Sequence, residues 1–193
     1  MIEGLVYLGM ILRKEGRWWG TKMRRLLLDT NIYGLLIADE QLFRLKEEYN
    51  KKRAEYPVYA LSLIRKELRA TSKDKTLLNH NLRIALLSLY DEFVGSHQLI
   101  INENELMPIA KQYFQMYQEL GGGFGREELW NDFMIVAGAA KKDLDIVVSH
   151  DKATMLSELS LKTYEMVNKS LNLKNPEFYD YLDFRDLLLR PPV

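Results

Sequence analysis

The 193-residue chain contains no cysteine, and this absence excludes three kinds of chemistry. Disulfide bridges, thiolate zinc sites and cysteine nucleophiles all require that residue. A chain without cysteine fits the reducing conditions of the cytoplasm, where we expect this protein to act. Because 47% of its residues are hydrophobic, a chain of this length can form one domain with a sizeable core.

The chain also lacks a net charge and a long apolar run. Its 27 basic and 27 acidic residues cancel, so binding to nucleic acid has to use a local patch. No apolar run reaches the ~18 residues of a membrane span, and we expect no membrane partner. The glycine-rich stretch 121–125 lacks the Gly-Lys-Ser/Thr ending of a phosphate loop, which argues against nucleotide binding there.

Short apolar runs alternate with helical patterns along the chain, which predicts a parallel sheet covered on both faces. The predicted strands are 25–29, 57–61, 98–101 and 145–149. The apolar spacing predicts a long amphipathic helix over 75–94, and Asp151 is predicted to begin another helix. The expected fold class is therefore α/β, a three-layer α/β/α sandwich with a short central parallel sheet.

The organisation divides into three segments. Residues 1–22 form an N-terminal extension, and an alternative interpretation is that the native chain starts at Met23, because the sequence there leads directly into the first strand. Residues 23–175 form the α/β domain. Residues 176–193 are aromatic and leucine-rich, which predicts a C-terminal tail that packs on the domain.

Two acidic residues stand where predicted strands end. Asp29 follows three leucines, and Asp151 follows the strand that ends at Ser149. In open α/β sheets, ligands bind outside the carboxyl ends of the strands. Each residue taken alone also fits a helix N-cap, which is the commoner role of aspartate at such a junction.

Two further acids lie in helices. Asp132 precedes the stretch 133–140, which is apolar on every side and predicts a buried helix. A carboxylate there is costly unless it is paired or binds a metal. Glu67 lies at the rim of an apolar helix face, where a solvated glutamate is the ordinary interpretation.

Taken together, the four acids predict a site for a hard cation at one edge of the sheet. Mg²⁺ and Mn²⁺ prefer carboxylate oxygen, and a cation offsets the repulsion among neighbouring carboxylates. Such ions activate water and stabilise the leaving oxygen in phosphodiester hydrolysis.

The four acids occur in an ordered series of short motifs, which resembles the PIN-domain ribonuclease family, including its VapC-toxin-like members. The motifs are Leu-Leu-Leu-Asp29-Thr-Asn31, Ile-Arg-Lys-Glu67-Leu, Asn-Asp132-Phe-Met-Ile-Val-Ala-Gly-Ala-Ala and Ile-Val-Val-Ser149-His-Asp151. The resemblance implies a PIN-like nuclease domain over 23–175 and a metal-dependent endoribonuclease. It also implies RNA cleavage by water activated on Mg²⁺ or Mn²⁺.

Carried over by position, the resemblance implies a set of site residues. The implied catalytic and metal-binding acids are Asp29, Glu67, Asp132 and Asp151, with Asn31 and Ser149 as accessory polar residues. Three other glutamates also lie between the first two motifs, namely Glu47, Glu48 and Glu55. Glu67 fits better because it follows a short strand on a helix with an apolar face.

Basic residues beside Glu67 give two interpretations. Arg65, Lys66 and Arg69 are candidate RNA-binding residues because they could hold phosphates next to the acids. The alternative is a solvated helix face with mixed charges. The resemblance further implies a possible homodimer and a possible antitoxin-like protein partner.

Two other functions fit the sequence less well. A PIN-like scaffold could bind RNA or protein with little cleavage, but the presence of all four acids argues against this. An aspartate-nucleophile phosphatase would need a second acid two residues after Asp29, and Asn31 stands there instead.

Overall fold

The computed structural model describes residues 23–77 and 80–190, so the predictions for residues 1–22 lie outside the described residues. The strands are β1 (Leu26–Leu28), β2 (Val58–Leu61), β3 (Thr76–Leu77), β4 (His80–Asn81), β5 (Gln98–Leu99), β6 (Ile146–Val148) and β7 (Glu177–Tyr179). The helices are α1 (Thr30–Ala38), α2 (Leu42–Lys52), α3 (Ser62–Ala70), α4 (Leu82–Val94), α5 (Glu103–Glu119), α6 (Arg126–Lys141), α7 (Glu158–Ser170) and α8 (Tyr181–Leu189).

The central sheet has the order β5-β2-β1-β6-β7, and all of its neighbouring strands are parallel. The three leucines of β1 are fully buried, because helices cover both faces of a parallel sheet. Helices α5, α6 and α7 pack together, and α1, α3 and α4 pack together. The predicted three-layer α/β/α fold with a short parallel sheet is therefore confirmed.

Helix α6 approaches the sheet closely at Gly138. A Cβ atom at this position would lie 2.5 Å from Cδ1 of Leu61 on β2. The missing side chain therefore leaves space for the Leu61 side chain of β2 to pack directly against α6.

The C-terminal segment is joined to the domain by polar contacts as well as by packing. Strand β7 extends the central sheet, and α8 packs against α2. The buried Lys52 ammonium donates to the carbonyls of Leu187, Leu188 and Arg190 at distances of 3.0, 2.8 and 2.5 Å. These carbonyls have no amide partner within the helix, so the lysine supplies the hydrogen-bond donors that the C-terminal end of α8 lacks.

Two predicted helices differ from the structure. The helix predicted over 75–94 is wrong at its start, where β3 and β4 form an antiparallel pair before α4 begins at Leu82. The Asn81 side chain accepts a hydrogen bond from the Ile84 amide and thereby sets the start of α4. The helix predicted to begin at Asp151 is also wrong, because α7 begins only at Glu158.

Within the described residues, no helix is both long enough and apolar enough to cross a membrane.

Candidate metal-binding active site

The sheet order brings three of the predicted acids to one edge. Strand β1 lies between β2 and β6, so the segments that follow these three strands are neighbours. They carry Asp29 after β1, Glu67 in α3 after β2, and Asp151 after β6. The Asp29 amide donates to the carbonyl of Val148 at 2.8 Å, which joins the ends of β1 and β6 directly.

Asp29 is buried, with 6% of its surface exposed, and its carboxylate is fully engaged. Its Oδ1 accepts from the Thr30 amide at 2.6 Å, so Asp29 also caps α1. Its Oδ2 accepts from the Ser149 hydroxyl and from Nδ2 of Asn31, both at 2.7 Å. The Asn31 Oδ1 atom in turn accepts from the His150 amide at 3.1 Å. The two accessory residues named by the resemblance therefore contact an acid of the set.

Glu67 is held by two donors from different parts of the fold. The Thr30 hydroxyl donates to its Oε2 atom. Nδ2 of Asn131 donates to Oε1 at 2.5 Å. These contacts tie α3 to the starts of α1 and α6, and they turn the Glu67 carboxylate toward the other acids. Glu67 is therefore part of the cluster.

Asp132 and Asp151 meet at one hydroxyl. Oγ1 of Thr154 lies 2.5 Å from Oδ2 of Asp132 and 2.7 Å from Oδ2 of Asp151. Because both oxygens touch the same atom, they lie no more than about 5 Å apart. Two unit charges at about 5 Å repel by roughly 3 kcal/mol at an effective dielectric constant of about 20.

The protonation equilibria of the acids differ. Burial raises the pKa of Asp132 to about 7, and the charges of Asp29, Asp151 and Glu67 raise it further against the Thr154 hydrogen bond. Burial likewise raises the pKa of Asp29 to about 6, although hydrogen bonds from Ser149 and Thr30 oppose this. Simultaneous ionisation of Asp29 and Asp132 is therefore unfavourable.

Asp151 shows the opposite shift. Burial disfavours its charge, but hydrogen bonds from the Thr154 hydroxyl and from the amides of Thr154 and Ala153 outweigh burial. The pKa of Asp151 consequently falls below its ordinary value. Asp151 thus ionises more readily than Asp29 or Asp132.

The donor set suits a hard divalent cation. Carboxylate oxygens are the ligands that Mg²⁺ and Mn²⁺ prefer, and a cation at this edge would offset the mutual repulsion. Within the described residues, however, no three acidic or histidine side chains are close enough together to hold one ion as they stand. The acids can therefore repel one another without forming a ready set of ligands, because charges act over several ångströms whereas Mg²⁺ ligands lie about 2.1 Å from the ion. A bound cation would require the carboxylates to approach one another more closely, with the facing oxygens of Asp132 and Asp151 already within about 5 Å of each other.

The candidate RNA-binding residues lie around α3 in different directions. A helix turns about 100° per residue, so Arg65 and Arg69 project from the side opposite Glu67. Arg65 also pairs with Asp91 at 3.1 Å. Lys66 is exposed, and its position on the helix is about 100° from Glu67, so it projects nearer to the acids than Arg65 and Arg69 do. The structure therefore does not bring Arg65 and Arg69 to the carboxylates.

Three contacting residues were missed in the sequence. Thr30 and Asn131 each stand next to a predicted acid, and that adjacency was the available signal. Thr154 follows Asp151 by three residues, in a stretch interpreted as helix. The turn that places its hydroxyl between two acids has no signal of that kind in the sequence.

The comparisons with known proteins support the fold. A scan against protein-family models finds no match, and a search of curated proteins finds none. Among solved structures, VapBC-1 from nontypeable Haemophilus influenzae is similar with a TM-score of 0.52 and 16% identity, covering 82% of this chain and 98% of that chain. FitAB bound to an IR36 DNA fragment is similar with a TM-score of 0.51 and 15% identity, covering 81% of this chain and 94% of that one. The likeness confirms the PIN-like fold.

Proposed function

We propose that this protein is a metal-dependent endoribonuclease that hydrolyses RNA phosphodiester bonds. The observation that carries the proposal is the convergence of four carboxylates from β1, α3, α6 and the loop after β6 on one edge of the sheet. The pKa of two of them is raised by burial and by the charges of the others, an arrangement that a divalent cation would relieve.

The site residues have two kinds of role, metal binding and orientation of a metal-binding side chain. Asp29, Glu67, Asp132 and Asp151 would hold Mg²⁺ or Mn²⁺, whose chemistry is to activate water and to neutralise the leaving oxygen. Ser149 and Asn31 fix the orientation of Asp29 through the hydrogen bonds described above.

Substrate binding needs positive charge beside this strongly acidic edge. Lys66 is exposed one residue from Glu67, and Arg69 is exposed at the end of α3. Lys66 can contact a phosphate of an RNA strand that crosses the site, whereas Arg69 projects from the opposite side of α3 and can contact only a more distant part of that strand. Arg65 contributes less, because its guanidinium is engaged by Asp91.

The similar solved structures are VapBC-1 and FitAB, the latter bound to a DNA fragment. By that likeness we propose that an antitoxin-like protein partner controls the nuclease. Copurification from the native host, followed by a cleavage assay with and without the copurified protein, tests this. A partner that leaves cleavage unchanged would contradict it.

A second candidate function rests on one observation. The acids as they stand do not form a ready set of three ligands, which favours a PIN-like module that binds RNA or protein without cleaving. The two functions differ in whether Mn²⁺ binds at this edge and whether RNA is cut.

The deciding experiment is RNA cleavage by the purified protein with Mn²⁺, with Mg²⁺ and with EDTA. We compare wild type with Asp132→Asn and with Glu47→Gln, a matched change of an exposed acid in α2. The nuclease predicts metal-dependent cleavage that Asp132→Asn abolishes and Glu47→Gln retains. Equal cleavage by all three proteins would indicate a contaminating nuclease and overturn the assignment. RNA binding without cleavage, and without Mn²⁺ binding by calorimetry, would establish the binding module instead.

A further inference from the structure

The Thr154 hydroxyl lies between two of the four acids. Its Oγ1 atom contacts Oδ2 of Asp132 on α6 and Oδ2 of Asp151 in the loop after β6. A threonine hydroxyl carries a single hydrogen, so it can donate to only one of the two carboxylates at a time. The other carboxylate lies beside the same oxygen atom without receiving that hydrogen.

The backbone fixes this hydroxyl in place. The amides of Ala153 and Thr154 both donate to Oδ1 of Asp151 at 2.9 Å. The Thr154 carbonyl accepts from the Ser157 hydroxyl at 3.0 Å. Met155, the next residue, is fully buried and anchors the turn in the core. The threonine therefore cannot leave the two acids without opening the turn.

From this geometry we infer that Thr154 is a positioning residue, which sets the separation of Asp132 and Asp151 and couples α6 to the loop after β6. The inference rests on the proposed function for its consequence in cleavage. The coupling itself is a property of the metal-free protein. It can therefore be measured whether or not the chain cleaves RNA.

The first test is a double-mutant cycle in urea, at pH 8 and with EDTA, using Thr154→Val, Asp132→Asn and the pair. Valine has nearly the shape of threonine but no hydroxyl, so two carboxylates would face an apolar methyl group. We expect Thr154→Val to lower the urea midpoint by about 0.5 M in the wild-type background. In the Asp132→Asn background the loss should be less than half as large, because an amide can itself donate to Asp151. Equal losses in both backgrounds would overturn the inference.

Two control variants separate the hydroxyl from the general effect of the substitution. Thr154→Ser keeps the hydroxyl and should restore the coupling. Thr163→Val is the matched control, because Thr163 is fully buried in α7 and its hydroxyl has no hydrogen-bond partner among the described residues. It should leave the urea midpoint unchanged or raise it. A midpoint lowered as much as in Thr154→Val would mean that loss of any threonine hydroxyl suffices, which would overturn the inference.

The second test measures Mn²⁺ affinity by calorimetry with Thr154→Val and Thr154→Ser. Loss of a group that orients metal ligands typically weakens metal binding by about 10- to 100-fold. We expect a loss in that range for Thr154→Val and near wild-type affinity for Thr154→Ser. If Thr154→Val binds Mn²⁺ as tightly as wild type, Thr154 does not position the acids for metal. If wild type binds no Mn²⁺, the proposed function fails, and the urea cycle alone decides the role of Thr154.

Discussion

Replacing Asp132 with asparagine should make the protein more stable while it abolishes cleavage. Burial and three neighbouring carboxylates raise the pKa of Asp132 from 3.8 to about 7, so ionisation of this residue opposes folding at neutral pH. About three pKa units correspond to at most about 4 kcal/mol, since each unit is 1.36 kcal/mol. Asp29 and Asp132, whose pKa values are both raised, interact and share that cost, so we expect a gain of about 2 kcal/mol at pH 8. For a chain of this size, this is a rise in Tm of about 4–8 °C.

The gain should depend on pH in one direction. An acid whose pKa is higher in the folded state binds its proton more tightly there, so stability is greatest while both states are protonated. Wild-type stability should therefore fall as pH rises from about 4 to about 7, and it should level off above that range. Asp132→Asn removes this titration, so the difference between variant and wild type should be clearly smaller at pH 5 than at pH 8, where it is largest.

Urea unfolding followed by circular dichroism, at pH 5 and pH 8 with EDTA, measures both quantities. Glu47→Gln serves as the control, because its exposed carboxylate should give no gain at either pH. The reasoning is refuted if Asp132→Asn is no more stable than wild type at pH 8, or if its gain is the same at both pH values. Adding Mn²⁺ should then stabilise wild type but not the variant, because a ligand stabilises only the state that binds it.

Two further predictions concern the fold. Lys52→Met should lower stability by about 1–3 kcal/mol in urea unfolding, because three buried or partly buried carbonyls at the end of α8 lose their donor, whereas Lys51→Met on the exposed side of α2 should not. An unchanged midpoint for Lys52→Met would contradict this role. Gly138→Ala should cost about 1–3 kcal/mol by thermal unfolding, because its Cβ would lie 2.5 Å from Leu61, while Gly123→Ala has open space and should be nearly neutral. Equal effects of the two alanines would show that α6 can move away from the sheet.

The sequence predicted β1, β2, β5 and β6 because these strands are short apolar runs bounded by polar residues, and it missed β7, which lies in the segment predicted as a tail. It failed at the start of α4, where apolar residues at helical spacing continue through a segment that forms the β3–β4 pair. Periodicity alone cannot detect that the Asn81 side chain ends this pattern by capping the helix. It also failed after Asp151, whose side chain accepts three bonds from Ala153 and Thr154 and so forms a closed turn instead of a helix. In both places a local side-chain bond overrode the expected helix.

Some acids of the candidate site could be located from the sequence, and others could not. Asp29 and Asp151 could be placed by sequence, because the ends of parallel strands meet at one edge of a sheet. Glu67 could be placed only by preference over three nearby glutamates, and its position was decided by hydrogen bonds from Thr30 and Asn131. Those bonds join residues that are 37 and 64 positions apart, so no local pattern contains them.

The sequence by itself determined the α/β layering and singled out Asp29, Asp132 and Asp151 as candidate site acids, because burial pattern and residue type are local properties. Only the tertiary structure decided how the acids meet, because that depends on which helix approaches which strand end. Gly138 lets α6 lie against β2, and the turn after Asp151 places Thr154 against the acid that α6 carries. The neighbouring carboxylates thus raise the pKa of Asp29 and of Asp132 only once the chain has folded, since these acids are far apart in sequence and close together in space.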